Sequence, residues 1–433
     1  MKRINKSPKL NYVVLGGGIS GCAVAYFLRA MGAKVILIEK DGRLGGIAQS
    51  YQLGGLVYDF GPHMLHATNS HTINFYKQFD IREVDYFSKM SFDGTLESLV
   101  DFPFSLDTIF QLPREIAKQV VAELYTLDPT RQDRRNLERY LRSVNGDTLY
   151  RIFNEGYSHK FWGMPPEQIP SNAAASWISF RTSDKRLYPE WQAYPRGGFN
   201  AIFKQITNNV TVVQAEVQGL GKTECGFLRS ISTSQGEVTG EYFISTLTPE
   251  VLLGITKSER LMYVGKIVVA LYFKEGPFNP LGVGGVYFPS AKWRFNRIVE
   301  YPVTTHPDYP LLTTGTVITL EYPFHSWAGQ PWLPDEFYIE DAINSVNELR
   351  SVVPVEVVCH RHPTIYPFRD TTQLDQYHVY RKQLEGFPNL SLTGRYGNFV
   401  YVNMNHCVEM AAKLIASLWG VSQAEVFEQA KLC

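Results

Sequence analysis

The sequence lacks the charge and hydropathy features that mark several functional classes. Acidic and basic residues are equal in number, at 42 each, so the total charge gives no sign of a nucleic-acid or anionic-membrane partner. No run of about 20 apolar residues predicts a membrane span, and the basic N-terminus is not followed by the apolar segment of a signal peptide. We therefore expect a soluble, cytoplasmic protein that binds no nucleic acid.

The cysteines lack the spacing of a disulfide framework or a zinc site. No C-x-x-C motif occurs, and no cluster of carboxylates, histidines and cysteines has the spacing of metal ligands. We expect no metal, and free thiols in a reducing compartment. The five cysteines are Cys22, Cys225, Cys359, Cys407 and Cys433.

Length and aromatic content are the positive features of the composition. A chain of 433 residues exceeds one ordinary core and predicts two or three domains. Aromatic residues make up 13% of it, which suits either the stacking of planar ligands or core packing. Composition alone leaves both interpretations open.

Residues 12–40 have the pattern of a dinucleotide-binding unit: a strand, a glycine turn, a helix and a second strand. Gly16, Gly18 and Gly21 form the motif G-x-G-x-x-G, which permits a tight turn, backbone approach to a pyrophosphate and close packing of the helix. The helix N-terminus favours phosphate because its N–H groups are free and its dipole is positive there. Glu39 ends the second strand, where a carboxylate can accept hydrogen bonds from a ribose hydroxyl.

The residues after Glu39 favour FAD over NAD. A second glycine turn, at Gly45 and Gly46, follows in the segment DGRLGGIAQS (41–50). This segment resembles the second diphosphate-contacting segment of the flavoproteins that include monoamine oxidases, protoporphyrinogen oxidases and UDP-galactopyranose mutases. NAD dehydrogenases normally lack it, so the resemblance implies FAD.

Apolar periodicity predicts an α/β protein with a Rossmann-type domain, an inserted helical domain and an antiparallel β-sheet domain, and the flavoprotein resemblance implies that the Rossmann-type domain binds FAD. Residues from about 70 to 170 have mainly helical periodicity, whereas several segments between 266 and 323 alternate with a period of two. A last long helix is expected from about 402 to 420. The predicted domains are FAD-binding over 1–70, 195–255 and 385–433, helical over 71–180, and antiparallel sheet over 181–194 and 256–384.

Six motifs in family order extend the resemblance over nearly the whole chain. Together they resemble the UDP-galactopyranose mutase family more than the amine oxidases. The motifs are GPHMLH (61–66), FPFSLDTIFQL (102–112), EGYSHKFWGMPPEQIP (155–170), SFRTSDKRLYPEWQAYPRGGFNAIF (179–203), FNRIVEY (295–301) and LTGRYGNFVYVNMNH (392–406).

This resemblance implies an enzyme that interconverts the pyranose and furanose forms of a nucleotide sugar. UDP-galactopyranose is the favoured substrate, and a related 6-deoxy or N-acetyl hexose is the alternative. In the family FAD must be reduced, its N5 atom is the nucleophile at the anomeric carbon, and no net oxidation occurs. Family members are often dimers, so a homodimer is allowed, and a mobile flap is expected near residues 182–190.

The resemblance also assigns substrate contacts. Arg181 and Arg297 would bind the diphosphate, since guanidinium groups match phosphate oxygens and keep their charge. Tyr157 and Trp162 would form a slot for the uracil base, with ordinary core packing as the alternative for each. Further contacts are expected from Tyr188, Tyr366 and Tyr401.

The closing motif is expected to contact the flavin through an arginine and through the start of the last long helix. Fixed positive charge there favours an anionic reduced flavin. The family usually has acidic residues on both sides of Met404, where this chain has Asn403 and Asn405. Their absence leaves room for a different flavin potential or a different sugar. The expected cofactor contacts of this segment are Arg395, Val402, Asn403 and Met404.

Two histidines in YDFGPHMLHA (58–67), His63 and His66, admit three interpretations: metal ligands, a proton-transfer pair, or core residues. The resemblance favours His63 as a catalytic contact of the flavin and leaves His66 as a satisfied core histidine. Two other hypotheses remain for the whole chain. One is a redox flavoenzyme of the amine oxidase or protoporphyrinogen oxidase type, and the other is a flavin-binding protein without activity.

Overall fold

A computed structural model describes most of the chain, namely residues 10–128, 130–173, 186, 191–255, 260–279, 282–305, 315–325, 327 and 332–431. The strands are β1 (Asn11–Leu15), β2 (Lys34–Glu39), β3 (Ser50–Leu53), β4 (Leu56–Asp59), β5 (Leu65–Ala67), β6 (Ile81–Glu83), β7 (Ser88–Ser91), β8 (Leu99–Phe102), β9 (Trp191–Pro195), β10 (Thr211–Gln214), β11 (Val217–Leu220), β12 (Thr223–Glu224), β13 (Phe227–Leu228), β14 (Ser230–Thr233), β15 (Gly236–Thr239), β16 (Tyr242–Ser245), β17 (Tyr263–Phe273), β18 (Gly285–Tyr287), β19 (Arg297–Glu300), β20 (Thr316–His325), β21 (Glu356–Pro367) and β22 (Leu390–Leu392). The helices are α1 (Ile19–Ala30), α2 (Ser70–Tyr76), α3 (Leu106–Phe110), α4 (Arg114–Thr126), α5 (Leu137–Asn145), α6 (Asp147–Leu149), α7 (Glu155–Trp162), α8 (Phe199–Ile206), α9 (Pro249–Leu253), α10 (Pro302–Thr305), α11 (Asp335–Arg350), α12 (Thr371–Leu384), α13 (Gly394–Gly397), α14 (Met404–Trp419) and α15 (Gln423–Ala430).

A five-stranded sheet carries the dinucleotide motif, with the strand order β10-β2-β1-β16-β22. Every neighbouring pair in this sheet is parallel. The apolar strands β1 and β16 lie at its centre and are almost wholly buried, as is usual for a parallel sheet covered on both faces. Helices α1 and α14 pack together in the same hydrophobic cluster as side chains of β1. The Rossmann-type α/β fold is thus confirmed.

The second large sheet has seven strands in the order β21-β17-β20-β19-β18-β7-β8. Its neighbours are antiparallel except for β7 and β18, which run parallel. One face packs on α11 through apolar residues that include Ile267, Leu320 and Val346. The other face packs on the hairpin β3–β4 and also carries charged side chains. This second face forms one wall of the candidate site.

The region from about 70 to 170 is less helical than its periodicity predicted. Strands β6, β7 and β8 occupy part of it, and β7 joins the seven-stranded sheet through β18. The helical prediction is wrong there because β6 and β7 pair with the distant strands β9 and β18, and local periodicity does not report such pairing. Within the helical part of this region, Pro113 separates α3 from α4.

A partly buried lysine attaches α7 to the connection between β18 and β19 of the seven-stranded sheet. The ammonium group of Lys160 donates three hydrogen bonds of 2.8–2.9 Å, and burial lowers its pKa to about 7. The position of α7 relative to the sheet is thereby fixed by main-chain atoms. The acceptors are the carbonyl oxygens of Phe288, Ser290 and Phe295.

Two long elements near the C-terminus were not predicted. They are β21, which pairs with β17 at one edge of the sheet, and helix α12 after it. The bounds of the three domains remain a prediction. Among the described residues, no helix has the length and apolar character needed to cross a membrane.

Candidate functional site

Two glycine turns meet where β1 ends and α1 begins. Gly16 has a φ of +94°, and a Cβ atom on Gly21 would lie 1.8 Å from the carbonyl oxygen of Gly16, so neither position accepts a side chain easily. A Cβ atom on Gly18, in contrast, would meet nothing within 4 Å, so the backbone is open on that side. Gly45 of the second turn donates to the carbonyl oxygen of Gly17 (2.8 Å). The turns therefore form one concave surface of backbone.

Glu39 holds this surface in shape. Its carboxylate accepts from the amide of Gly17 at 2.6 Å and from the amide of Asp41 at 3.0 Å. The side chain is buried at the end of β2, next to the glycine turns. Gly46 completes the second turn at a φ of +57°, where a Cβ atom would lie 3.3 Å from Cα of Gly18. Each carboxylate oxygen of Glu39 can still accept a second hydrogen bond, as a ribose contact would require.

The Gly-Pro-His turn after β4 approaches the charged face of the seven-stranded sheet. A Cβ atom on Gly61 would lie 3.6 Å from Oε1 of Glu321 and 3.9 Å from the ammonium group of Lys266. Burial, together with the positive charges of Lys266 and Arg395, lowers the pKa of His63 to about 3. His63 is therefore neutral at neutral pH, and its buried Nδ1 atom has no hydrogen-bond partner among the described residues.

Asp59, two residues before this turn, is fully buried in a hydroxyl cage. Ser50 donates to its Oδ1 atom at 2.5 Å, and Tyr194 donates to both carboxyl oxygens at 3.0 Å. Tyr301 donates to its carbonyl oxygen at 2.7 Å. The hydroxyl donors lower the pKa of Asp59, but burial has the larger effect and raises this pKa to about 8. The cage fixes the end of β4 and hence the position of the Gly-Pro-His turn.

His66 has a different environment from His63. It lies in β5, opposite Gln192 of β9, and its side chain is buried. Burial and the nearby His406 lower its pKa to about 4. The described residues contain no group of three or more histidine, cysteine or carboxylate side chains that could hold a metal ion.

Three charged side chains form a buried cluster on strands β17, β19 and β20. Arg297 donates to both carboxylate oxygens of Glu321, at 2.8 and 2.7 Å, and Lys266 donates to one of them. The side chain of Glu321 is 0% exposed, and those of Lys266 and Arg297 are 3% and 11% exposed. Burial alone would raise the pKa of Glu321, but its two cationic partners lower it below its usual value. The carboxylate is therefore ionised.

Arg297 also contacts tyrosine. Its Nη1 atom donates to the hydroxyl of Tyr287 at 3.1 Å, and its Cζ atom lies 5.3 Å from the centre of that ring. The Nε atom is buried and has no partner in the part of the chain that the structure describes. Arg297 thus keeps unused donor capacity, although Glu321 fixes the plane of its guanidinium group.

An aromatic wall continues from this charged cluster. The rings of Tyr157 and Tyr287 are 5.6 Å apart, those of Tyr157 and Phe161 are nearly parallel at 6.1 Å, and Phe161 lies 5.2 Å from Tyr366. Trp162 points elsewhere. Its side chain is 3% exposed and packs with residues such as Val264 and Phe368. The predicted pair is therefore split, and Phe161 takes the position next to Tyr366.

The closing motif completes the wall. Tyr401 packs edge-on against Tyr366, with ring centres 4.9 Å apart. Arg395 donates to the carbonyl oxygens of Val402 and Ile365, and its Cζ atom lies 5.2 Å from the centre of the Tyr366 ring. A fixed positive charge is thus held immediately before α14.

Helix α14 begins close to the predicted position. Asn403 is its N-cap, and the amide of Asn403 donates to Nδ1 of His406 at 3.3 Å. Met404 is the first helical residue and is partly buried. Asn405 is 7% exposed, and its amide oxygen has no partner among the described residues. A buried polar atom without a partner is unusual, and an ordered water or a ligand group can satisfy it.

The structure brings part of the predicted site together around Tyr366, whose ring lies close to Arg395 and Tyr401 and, through Phe161, to Tyr157. Arg181, Tyr188 and most of the predicted flap lie outside the described residues. Sequence reasoning missed four side chains of this region. The signal that could have found the charged ones is a lone ionic residue in an apolar strand, as in KIVVALYF and TVITLEYPF. The missed residues are Lys266, Glu321, Phe161 and Tyr287.

Comparison with known proteins supports the motif resemblance. Residues 152–341 match the family model of UDP-galactopyranose mutase, and residues 14–79 match that of the NAD(P)-binding Rossmann-like domain. The UDP-galactopyranose mutase of Mycoplasma pneumoniae is 22% identical over 435 residues, which cover 92% of this chain and 94% of that protein. The dTDP-fucopyranose mutase of Escherichia coli is 27% identical over 212 residues, which cover 46% of this chain and 54% of that protein. The chain thus aligns with about half of the length of that relative.

Solved structures agree on the fold. A crystal structure of reduced UDP-galactopyranose mutase matches with a TM-score of 0.79 at 18% identity and covers 98% of both chains. A mutant of putrescine oxidase matches with a TM-score of 0.61 at 14% identity and covers 95% of this chain. At these identities the likeness establishes the fold. The resemblance to the UDP-galactopyranose mutase family, within the amine oxidase-like flavoprotein fold, is confirmed.

Proposed function

We propose that the protein is a flavin-dependent mutase that interconverts the ring forms of a nucleotide-linked hexose, most directly UDP-galactopyranose and UDP-galactofuranose. The observation that carries this proposal is the buried Arg297, which lies beside a continuous wall of aromatic side chains. A guanidinium group suits a diphosphate, and an aromatic wall suits a nucleobase. An oxidase of amines or porphyrinogens has no need for this combination.

The residues present fit FAD. The glycine turns offer open backbone for the pyrophosphate, and Glu39 stands where a ribose would bind. At the other end, the positive N-terminus of α14 and Arg395 suit the pyrimidine edge of the flavin ring. Nδ1 of His63 and Oδ1 of Asn405, which have no partner among the described residues, would be available to hydrogen-bond the cofactor. Bound reduced FAD supplies N5 as the nucleophile toward the anomeric carbon of the sugar.

The charged cluster would hold the leaving diphosphate. Arg297 keeps its charge at any physiological pH, and Glu321 fixes its orientation, so little ordering is needed when the substrate binds. Tyr366 and Tyr401 can donate hydroxyl hydrogen bonds to phosphate oxygens. The second arginine, Arg181, and Tyr188 remain predictions for the same diphosphate.

The base slot would lie between Tyr157 and Tyr366, with Phe161 as the stacking surface. A base stacked on an aromatic side chain gains about 1–3 kcal/mol. Asn296 donates to the hydroxyl of Tyr157 at 3.2 Å and orients that ring. Trp162 would support the slot from behind.

The identity of the sugar is the most specific part of the proposal. Asn403 and Asn405 remove two negative charges from the start of α14, where the family usually carries acidic residues. The names of the relatives point to two substrates, UDP-galactopyranose and dTDP-fucopyranose. Both fit the same chemistry, so the reduced protein should be tested with each of them. We take the UDP sugar as the primary substrate because the alignment with a UDP-galactopyranose mutase covers 92% of this chain.

The test compares two arginines on the same segment. Arg297→Ala should abolish turnover and weaken UDP binding by about tenfold or more while FAD stays bound, since the glycine turns are untouched. The control is Arg294→Ala, because the Arg294 side chain is 65% exposed and pairs with Asp341 at the surface. Full activity of Arg297→Ala would contradict the assignment of the diphosphate site.

A further inference from the structure

We propose that Lys266 is a positioning residue that sets the net charge of the diphosphate site by sharing the carboxylate of Glu321 with Arg297. This inference rests on the proposed function, because it assigns the cluster to an anionic substrate. Neither Lys266 nor Glu321 is needed to fill space, and an apolar pair of similar size would pack there at a lower cost of desolvation.

The strand register explains why the three side chains meet. Arg297 on β19 lies directly opposite Glu321 on β20. On the other side of β20, Val268 of β17 faces Glu321, so Lys266 is the diagonal neighbour on the same face of the sheet. Both cations therefore reach one carboxylate, and the cluster contains two positive charges and one negative charge.

The surplus of one positive charge is located at the candidate site. The ammonium group of Lys266 lies 5.6 Å from the centre of the Tyr366 ring and also approaches Gly61 of the Gly-Pro-His turn. Among the charged groups near His63, Lys266 has the largest effect on that histidine. Without Lys266, Glu321 would neutralise Arg297, and the cluster would offer a diphosphate no net charge.

The direction of the effect follows from Coulomb's law. At the effective dielectric constant of about 20 that suits protein sites, a unit charge still interacts appreciably with an anion bound nearby, so its removal weakens binding. Loss of the Lys266 charge should therefore raise the Kd for UDP by roughly tenfold or more.

A double variant that restores the net charge of the cluster without restoring the lysine distinguishes an electrostatic role of Lys266 from a packing role. Lys266→Met leaves a neutral ion pair, whereas Lys266→Met combined with Glu321→Gln leaves Arg297 as the single positive charge. The amide oxygen of the glutamine can still accept from Arg297. The surface pair Lys292–Glu348, at 2.6 Å with side chains 47% and 58% exposed, provides Lys292→Met as a control.

The experiment is titration of each FAD-loaded variant with UDP, followed by isothermal calorimetry at one ionic strength. We expect Lys266→Met to bind UDP weakly. The double variant should recover a Kd for UDP within about threefold of that of the wild type. We also expect no change for Lys292→Met. The FAD content of each variant reports correct folding.

Two results would overturn this inference and leave the proposed function standing. In the first, Lys266→Met binds UDP as tightly as the wild type. In the second, the double variant binds FAD normally but UDP as weakly as Lys266→Met, which would make Lys266 a packing residue. If the FAD-loaded wild type binds neither UDP nor dTDP, this inference and the proposed function fail together.

Discussion

Glu321→Gln is the substitution that most directly tests how the charged cluster contributes to stability. The change keeps the size of the side chain but removes the only negative charge that Lys266 and Arg297 share in the cluster. Two buried cations are then left beside each other without a counterion. We therefore expect a large loss of stability despite the conservative shape.

The magnitude can be worked out from the geometry. Both cations donate to the same oxygen of Glu321, so their nitrogen atoms lie about 5 Å apart at an ordinary hydrogen-bond angle. At an effective dielectric constant of about 20, their repulsion is about 3 kcal/mol. This agrees with the usual cost of about 3–5 kcal/mol for removing one partner of a buried ion pair. A fall of roughly 3–6 °C in the unfolding temperature follows for a chain of 433 residues.

The assay is thermal unfolding of the FAD-loaded protein, monitored by circular dichroism. Lys266→Met in the Glu321→Gln background should recover part of the lost stability, because it removes one of the two repelling charges. An unfolding temperature within about 1 °C of the wild type for Glu321→Gln would refute the reasoning. So would a double variant that is less stable than Glu321→Gln.

Three further predictions concern the turns around the cofactor. His63→Ala should lower mutase turnover strongly and His66→Ala should lower it less, since His63 lies near the charges of Lys266 and Arg395, whereas His66 lies in β5 opposite Gln192; steady-state kinetics of the reduced proteins would check this. Gly21→Ala should abolish FAD binding, because its Cβ atom would lie 1.8 Å from the carbonyl oxygen of Gly16; the flavin absorbance of the purified protein measures this. The pKa of Asp59 is raised to about 8, so its contribution to stability is full below about pH 4 and is lost as pH rises toward 8. Urea unfolding at pH 5 and pH 8 should therefore show a smaller loss of stability with pH for Asp59→Asn than for the wild type.

The local part of the fold and site could be predicted from the sequence. Gly16 has a φ of +94°, Gly21 has no room for a Cβ atom, and Gly18 leaves the backbone open on one side, so a short motif is sufficient to identify the turn. The burial of Arg297 could also be predicted locally, since a lone arginine in an apolar strand is rarely exposed. The structure buries this side chain. Helix α14 also begins within two residues of its predicted start.

The non-local part could not be predicted in the same way. Lys266 and Glu321 meet only because β17 and β20 pair in one particular register, and no short motif specifies that register. The choice between the adjacent residues Phe161 and Trp162 depends on how α7 is rotated against the sheet. That rotation follows from the three carbonyl contacts of Lys160, which are distant in sequence.

The most direct measurement of the central claim is the conversion of UDP-galactopyranose by the FAD-loaded protein without oxygen, in its oxidised and dithionite-reduced states. Chromatography would separate the pyranose and furanose forms. The account predicts furanose only from the reduced protein, with a constant total of nucleotide sugar and a flavin that remains reduced. It is contradicted if neither UDP-galactopyranose nor dTDP-fucopyranose is isomerised in either state, while an amine or a porphyrinogen is oxidised with stoichiometric consumption of oxygen when air is admitted.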